Sequence, residues 1–259
     1  MASVSDYFGC TQPAQRYGRK TNHGLLVGIE VELEQVHLLA EPKGWRHVRD
    51  GSLKDNGLEF TIPVWSTYAE EYLTNLFACL KNPNANSRCS VHIHADVTTF
   101  TEDQVKSLII LYTIFERALY RYSGRRWNNI YCVPVQTWFI GMNISEWNFG
   151  DMAVGFKKYS GLNVFPDEGK LGTVEFRHMA GNKNPMYIAS WINIITKLVK
   201  YAEAQEYQQL LERIRDMRAT SQYWDLFRDV FGEYCQALNY STFDKDVEEG
   251  ITFVKLITE

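Results

Sequence analysis

The sequence lacks the features of several large protein classes. Its longest apolar runs, such as residues 108–111, are too short to cross a bilayer, and its N-terminus has no basic segment followed by an apolar one. The five cysteines are an odd number without a CxxC pair, which predicts neither a disulfide framework nor a structural zinc site. We therefore expect reduced cysteines, no membrane partner and a cytoplasmic location.

An excess of positive charge is also absent. The chain has 31 Asp and Glu residues against 27 Lys and Arg residues, a formal net charge of −4, which mildly disfavours a nucleic-acid substrate without excluding it. Of the 259 residues, 45% are hydrophobic and 22% charged, a composition typical of globular folds rather than disordered chains. A chain of this length can bury a large core, and we predict a single domain over residues 1–259.

Apolar periodicity predicts strands first and helices later along the chain. The predicted strands are residues 24–34, 45–50, 58–63, 90–97, 159–165 and 172–179, the second and third forming a hairpin around Asp55-Asn56-Gly57. The predicted helices are residues 68–80 after a cap at Ser66 or Thr67, about 101–119, and 186–238 with a break near Thr220. For residues 251–257 the sequence fits either a strand or a frayed terminus. The long aperiodic stretch 123–151 is expected near a functional site.

Three predicted strands each place two polar side chains on one face, because residues i and i+2 of a strand point the same way. Their opposite faces are apolar, as a core-facing surface requires. The hairpin can add two carboxylates to the polar face. The residues are Glu30 and Glu32, His92 and His94, Glu175 and Arg177, and from the hairpin Asp50 and Glu59.

Each pair alone also fits a solvated strand face or a surface ion pair. Their joint occurrence favours a binding site. Two carboxylates about 4 Å apart repel by about 4 kcal/mol at an effective dielectric near 20, so a cluster of them requires cations. Mg²⁺ or Mn²⁺ suits carboxylates with one imidazole. The P-loop, GxSxG and HExxH signatures are absent from the sequence.

A run of arginines follows the most regular predicted helix. Arg117, Arg121 and Arg125 recur every four residues, with Arg126 beside them. They form either a solvated helix face or a phosphate contact through Arg125 or Arg126, since the planar guanidinium suits phosphate. Weaker candidates for the same role are Lys157, Lys158 and Asn163.

Taken in order, six motifs resemble the amidoligase family. They are GIEVELE, DGSL followed by GLEF, SVHIHADV, RRWNNIYC, KYSGLN and GTVEFRHMAG, over residues 24–181. The family belongs to the carboxylate–amine ligase superfamily, with glutamine synthetase and glutamate–cysteine ligase. The resemblance implies an α+β fold like that of glutamine synthetase, with a curved, mainly antiparallel sheet as the active-site floor and helices packed outside. A helical part, residues 185–240, follows this core. Because HMAGNKNP departs from the family pattern, the resemblance assigns no role to His178.

The resemblance also implies an activity. Such enzymes use ATP with Mg²⁺ or Mn²⁺ to phosphorylate a carboxylate, and an amine then attacks the acyl phosphate to form an amide. Small-molecule or peptide carboxylates and amines are the implied substrates. The implied metal ligands are Glu30, Glu32, Glu59, Glu175 and either His92 or His94. Arg177, with Arg125 or Arg126, would bind phosphate, and Asp50 would bind metal or the incoming amine.

Two other functions fit the same residues. One is a metal-dependent hydrolase or oxygenase built on the HxH strand, which tight Zn²⁺ or Fe²⁺ and no nucleotide dependence would indicate. The other is a non-catalytic binding module on an inherited ligase fold, which a lack of ATP binding would indicate. The presence of Glu30, Glu32, His94 and Arg177 argues against the module.

Overall fold

A computed structural model describes residues 2–11, 24–124, 126–138 and 142–259 of the chain. Its described strands form one antiparallel six-stranded sheet, in the order β2-β3-β1-β4-β6-β5. The predicted α+β class and antiparallel sheet are confirmed. The strands are β1 (Leu26–Leu33), β2 (Arg46–Arg49), β3 (Leu58–Trp65), β4 (Ser90–Asp96), β5 (Leu162–Val164) and β6 (Thr173–Ala180).

Strict alternation along β1 separates a core face of the sheet from a polar face. Ile29, Val31 and Leu33 are fully buried on the core face, while Glu30 and Glu32 point to the other side. Burying a large aliphatic side chain stabilises the fold by about 1.5–3 kcal/mol, so a one-residue slip of the strand would be costly. The buried apolar side chains therefore determine which residues reach the polar face.

The β2–β3 hairpin brings a second set of carboxylates beside β1. Asp55 and Asn56 have positive φ angles of 52° and 59°, a conformation that Asp and Asn tolerate better than most residues. The hairpin pairs Val48 with Glu59, and β3 in turn places Glu59 directly opposite Glu32 of β1. The predicted hairpin is confirmed.

A β-bulge interrupts the pairing of β4 with β6. Val91 pairs with Met179 and Ile93 with Phe176, so two residues of β6, Arg177 and His178, lie opposite the single residue His92. Arg177 is partly exposed whereas His178 is fully buried. Arg177 and His178 take opposite faces as strand neighbours do, and the extra residue allows His178 and Met179 both to be buried.

Helices cover the core face of the sheet. Two long helices, α3 and α5, contact β6 and β4 and bury Trp191, Ile195 and Leu198 completely. None of the described helices has the length and apolarity needed to cross a membrane. The helices are α1 (Val4–Phe8), α2 (Ala69–Ala78), α3 (Glu102–Tyr122), α4 (Phe149–Gly155), α5 (Pro185–Glu203), α6 (Tyr207–Asp216), α7 (Thr220–Phe231), α8 (Cys235–Leu238) and α9 (Phe243–Ile257).

Several helix boundaries follow the predicted signals and others do not. The capping box of Thr101 with Gln104 begins α3, and Asn184 caps α5 before Pro185. The predicted cap of α2 is wrong, because Ser66 uses its hydroxyl to accept a hydrogen bond from the backbone N–H of Leu25.

The C-terminal region is more finely divided than the periodicity predicts. Residues 217–219 interrupt the helical stretch directly before Thr220, which begins α7, so the predicted break near Thr220 is confirmed, and residues 204–206 form a further interruption that was not predicted. Residues 251–257 are neither a strand nor a frayed end. They complete α9, whose Phe243, Val254 and Ile257 are buried in the core.

Candidate metal centre

Three side chains from three adjacent strands meet on the polar face. Glu30 of β1, His94 of β4 and Glu175 of β6 each place one ligand atom within 4.8 Å of the others, and we call them the histidine cluster. His94 Nε2 lies 3.0 Å from Glu30 Oε1 and 3.8 Å from Glu175 Oε1. Register explains the meeting, since β4 pairs His94 with Glu175 and β1 pairs Glu30 with His92.

The two histidines of the HxH strand have different surroundings. His92 Nδ1 lies 3.2 Å from Glu30 Oε2, and its Nε2 lies 2.9 Å from the hydroxyl of Ser90, which donates to Glu32 at 2.6 Å. Both nitrogens of His92 are therefore engaged. In contrast, His94 Nε2 lies 3.0 Å from Glu30 Oε1 but is not aligned for a hydrogen bond with any described residue, while its Nδ1 contacts Thr173 at 3.2 Å. Because this nitrogen faces two carboxylates of the cluster and His92 has partners on both nitrogens, the geometry favours His94 as a ligand.

The acidic and basic side chains of the histidine cluster shift each other's pKa values. Burial alone would raise the pKa of Glu30, but its contacts with His92 and His94 hold that pKa well below the usual range. Burial lowers the pKa of His94, and the carboxylates of Glu30 and Glu175 more than offset this, so that the pKa is raised overall. The cluster can therefore present carboxylate oxygens to a cation near neutral pH.

A second group, which we call the acidic cluster, lies next to the first. Its members Glu32, Asp50 and Glu59 place carboxylate oxygens within 4.8 Å of one another. Burial, together with the negative charges of Glu30, Glu32 and Asp50, raises the pKa of Glu59 to about 7. No Lys, Arg or His nitrogen of the described residues lies within 4 Å of these three carboxylates. A cation would relieve their repulsion.

Glu175 is held from two sides. Arg177 Nη1 contacts Glu175 Oε1, and the Asn163 amide of the edge strand β5 donates to Glu175 Oε2 at 2.8 Å. Arg177 also directs its Nε toward the carbonyl of Tyr131, at 3.5 Å. The stretch predicted to lie near a site thus contributes at least this backbone contact. Asn163, predicted to bind the cofactor, orients a carboxylate instead of facing free space.

The residues predicted to bind phosphate lie in different surroundings. Arg126 Nη1 donates to the carbonyls of Arg177 at 3.2 Å and Met179 at 3.4 Å, across the bulge of β6. Burial lowers the pKa of Arg126. Lys158 is exposed, with its ammonium 5.8 Å from the ring centre of Tyr159. Arg125 lies outside the described residues.

The remaining arginines of the run serve the fold. Arg117 pairs with Asp246 at 3.1 Å and with Glu249 at 2.8 Å, and Arg121 lies 3.5 Å from Asp246. Both acids belong to α9, so these arginines join α3 to the C-terminal helix. The prediction that these arginines lie unpaired on a solvated helix face is therefore wrong for Arg117 and Arg121.

A buried polar network lies on the opposite, core-facing side of β6. Glu116 Oε1 accepts hydrogen bonds from Tyr112 Oη at 2.8 Å and from the N–H of Val135 at 2.6 Å. Tyr112 also contacts His178 Nε2 at 2.7 Å. Burial raises the pKa of Glu116 to about 7, and burial with the charge of Arg126 lowers the pKa of His178 to about 3. His178 is therefore a neutral core residue.

Two residues of the polar face were not among the predicted ones. Ser90 joins the two clusters through Glu32 and His92, and Asp96 extends the same face beyond His94. The alternation of SVHIHAD already contains both, at the i−2 and i+2 positions of the histidine pair. The prediction took only the two histidines from this strand.

Comparison with known proteins adds no assignment to this geometry. No model of a known protein family matches the chain, and no curated protein matches it either.

Proposed function

We propose that the chain is an ATP-dependent carboxylate–amine ligase, which forms an amide through an acyl phosphate. The observation that carries the proposal is that the histidine cluster and the acidic cluster adjoin along β1, with the guanidinium of Arg177 on Glu175. The order of motifs resembling amidoligases supports the same activity. The proposal includes a glutamine-synthetase-like catalytic fold, for which the antiparallel sheet with one polar face is the supporting observation.

The donor set of both clusters suits a hard divalent cation. Carboxylate oxygens with one imidazole are compatible with Mg²⁺ or Mn²⁺. A cation would bind His94 Nε2 together with the carboxylates of Glu30 and Glu175 that face it, and the three carboxylates of the acidic cluster would gain a counter-charge. When bound, such cations neutralise phosphate charge and polarise the transferred phosphoryl group.

The residues around the clusters would divide the remaining work. Asn163 and Arg177 hold Glu175 in one orientation, which limits the motion of a ligand during the reaction. Arg177 would stabilise the charge that develops as a substrate carboxylate oxygen bonds to the γ-phosphorus and ADP leaves. The polar face would then hold the acyl phosphate beside the amine, whose nitrogen forms the amide bond as phosphate departs and a proton is released.

The test is ADP release from ATP and Mg²⁺ by the whole chain, supplied with pools of amino acids and small amines. We expect release that requires both an acid and an amine. The Glu175→Gln variant should lose it, because the histidine cluster loses a charged ligand. Glu168→Gln, an exposed substitution shortly before β6, is the matched control and should retain it.

Other outcomes would overturn the proposal. Unchanged ADP release in Glu175→Gln would remove the histidine cluster from the reaction. Tightly bound Zn²⁺ or Fe²⁺ with hydrolysis or oxygen uptake and no nucleotide dependence would identify a hydrolase or oxygenase. A calorimetric titration without any ATP binding would favour a binding module.

A further inference from the structure

A cavity of about 380 Å³ opens on the polar face directly beside the histidine cluster. Glu30 and His94 form one side of it, and Gly28 contributes a floor without a side chain. A Cβ at Gly28 would lie 3.3 Å from His94 Cβ, so glycine keeps this floor open. We call this cavity the Gly28 pocket. Its volume suits a small organic molecule rather than a macromolecular segment.

The walls of the Gly28 pocket are apolar over most of their area. Leu26, Pro63 and Leu171 line it, and Leu171 is half exposed at the rim. An aliphatic ligand would bury its own surface against these side chains, at roughly 25 cal/mol per Å² of apolar area. The pocket therefore favours a ligand with an apolar body.

One unpaired charge marks the far end of the pocket. Asp96 follows His94 by two residues on the same face of β4 and lines the cavity. Its Oδ1 accepts the N–H of Thr98 at 3.0 Å, and no cationic nitrogen of the described residues lies within 4 Å of its carboxylate. Lys170 also lines the cavity, but its ammonium lies 3.6 Å from Asp167 and 3.9 Å from Glu168. Among the described residues that line the pocket, the charge without a counter-ion is that of Asp96.

The charges along the polar face separate its two ends. Arg177, paired with Glu175, and Arg126, bound to carbonyls of β6, lie toward the C-terminal half of β6, whereas Asp96, paired with Thr173 at the start of that strand, lies beside the Gly28 pocket. Complementary charge directs an anionic ligand to the first end and a cationic ligand to the second. In a ligase both must meet at the histidine cluster between them.

We propose that the Gly28 pocket binds the amine substrate, a small aliphatic amine that carries a second positive charge at its distal end and pairs that charge with Asp96. This inference rests on the proposed ligase function and names the substrate class of the same site. Residues two apart on a strand are separated by roughly 7 Å. An extended 1,4-diaminobutane is of comparable length, so one nitrogen reaches Asp96 while the other lies beside His94.

Three probes of similar length and different distal charge test the pocket. They are 1,4-diaminobutane with a cation, 1-butylamine with no charge, and 4-aminobutanoate with an anion. Calorimetric titration of the whole chain without nucleotide should rank their affinities in that order. Asp96→Asn keeps an oxygen for the N–H of Thr98 and should weaken 1,4-diaminobutane about tenfold, the size expected for a charged hydrogen bond.

Two further variants make the test specific. Asp216→Asn removes an exposed carboxylate that does not line the pocket, and this variant should bind 1,4-diaminobutane as the unsubstituted chain does. Leu171→Arg places a cation at the exposed rim and should also weaken the diamine, with melting curves confirming the fold of each variant. Equal affinities for the three probes, no binding, or an unchanged affinity in Asp96→Asn would overturn the proposal. The proposal would also be overturned if adenosine displaced the diamine and bound more weakly to Leu171→Arg, because the pocket would then hold a nucleoside.

The pocket and the ligase can fail separately. Diamine binding that depends on Asp96, without ADP release from any pool, would support the proposed binding pocket but overturn the proposed ligase activity. ADP release that requires a different amine and is unaffected by Asp96→Asn would retain the ligase and overturn this inference.

Discussion

Glu32 and Glu34, two residues apart at the end of β1, are both buried but are treated differently by the rest of the molecule. Glu34 accepts hydrogen bonds from Arg88 Nε at 2.8 Å, from the Asn86 amide at 2.5 Å and from the N–H of Lys54 at 2.8 Å. Glu32 accepts one from Ser90 and faces two further carboxylates. Among the described residues, Glu34 receives donors on both carboxylate oxygens, whereas Glu32 receives only the hydroxyl of Ser90.

The two regions also shift carboxylate pKa values in opposite directions. Hydrogen bonds from Arg88 lower the pKa of Glu34 to about 2, whereas burial and neighbouring carboxylates raise the pKa of Glu59 in the acidic cluster to about 7. A buried charge that a protein stabilises itself is structural, and one that it leaves uncompensated indicates binding. Substitutions in the two regions should therefore have opposite consequences.

The largest effect is expected from paired glutamine variants. Glu32→Gln should lower ADP release about a thousandfold, the upper range for losing one group that stabilises developing charge. Glu34→Gln should retain most of the activity but melt at a lower temperature, because Arg88 loses its carboxylate partner. Initial rates with Mg²⁺ and thermal melts of both variants provide the comparison. Equal loss of activity in the two would erase the distinction between the regions.

The pH dependence of stability extends the comparison to Glu116, a buried carboxyl whose hydrogen-bond donors are all uncharged. Glu116 has a pKa near 7 in the fold and 4.5 as its usual value, so the folded state holds its proton more tightly. This contribution to stability is fully present below pH 4.5 and is lost as the pH rises through 7, about 3 kcal/mol in all. Urea unfolding from pH 5 to pH 8 should show the decline. Glu116→Gln should flatten it, whereas the exposed Glu168→Gln should not.

Removal of the structural counter-ion tests the other region directly. Arg88→Ala leaves the Glu34 carboxylate without its guanidinium, and the melting temperature should fall by several degrees. Mn²⁺ affinity should stay unchanged, because Glu34 belongs to neither cluster. Fluorimetric melts and a Mn²⁺ titration measure the two properties on one sample. A loss of Mn²⁺ affinity in this variant would show that the two regions act together.

The smallest effect should come from Ser90, which joins the two clusters. Ser90→Ala removes the hydrogen bond to Glu32 and the contact with His92, without removing a proposed ligand. Loss of such an outer partner commonly lowers metal affinity by about tenfold. Mn²⁺ titration would measure it, with Ser52→Ala, an exposed turn residue, as the control. An unchanged Mn²⁺ affinity would mean that Ser90 is not needed to hold the Glu32 carboxylate in its binding orientation.

Local alternation predicted the polar face because a period of two depends only on neighbouring residues. Glu30, His94 and Glu175 share that face, as their strands predicted, and the hairpin brings Asp50 and Glu59 to it. The metal, ATP and ligase assignments themselves stay predictions. What periodicity supplies is the list of candidates, not their partners.

The remaining details depend on contacts between distant segments. Arg88 reaches Glu34 from 54 residues away, and Arg117 meets Asp246 from 129 residues away. Neither pairing has a signal in local spacing, so the sequence could not distinguish Arg117 from the other arginines of the run. The difference between His92 and His94 likewise depends on contacts with Glu30 of β1 and Thr173 of β6.

The bulge of β6 divides that strand into two frames of alternation. Before it, Val174 and Phe176 face the core at even positions; after it, Met179 does so at an odd one. A deletion of one residue between Phe176 and Met179 would restore a single frame without moving either buried side chain to the wrong face. A chain without the bulge would therefore keep Phe176 and Met179 in the core but have room for only one residue between them, so it would lose either the Glu175 partner Arg177 or the buried His178.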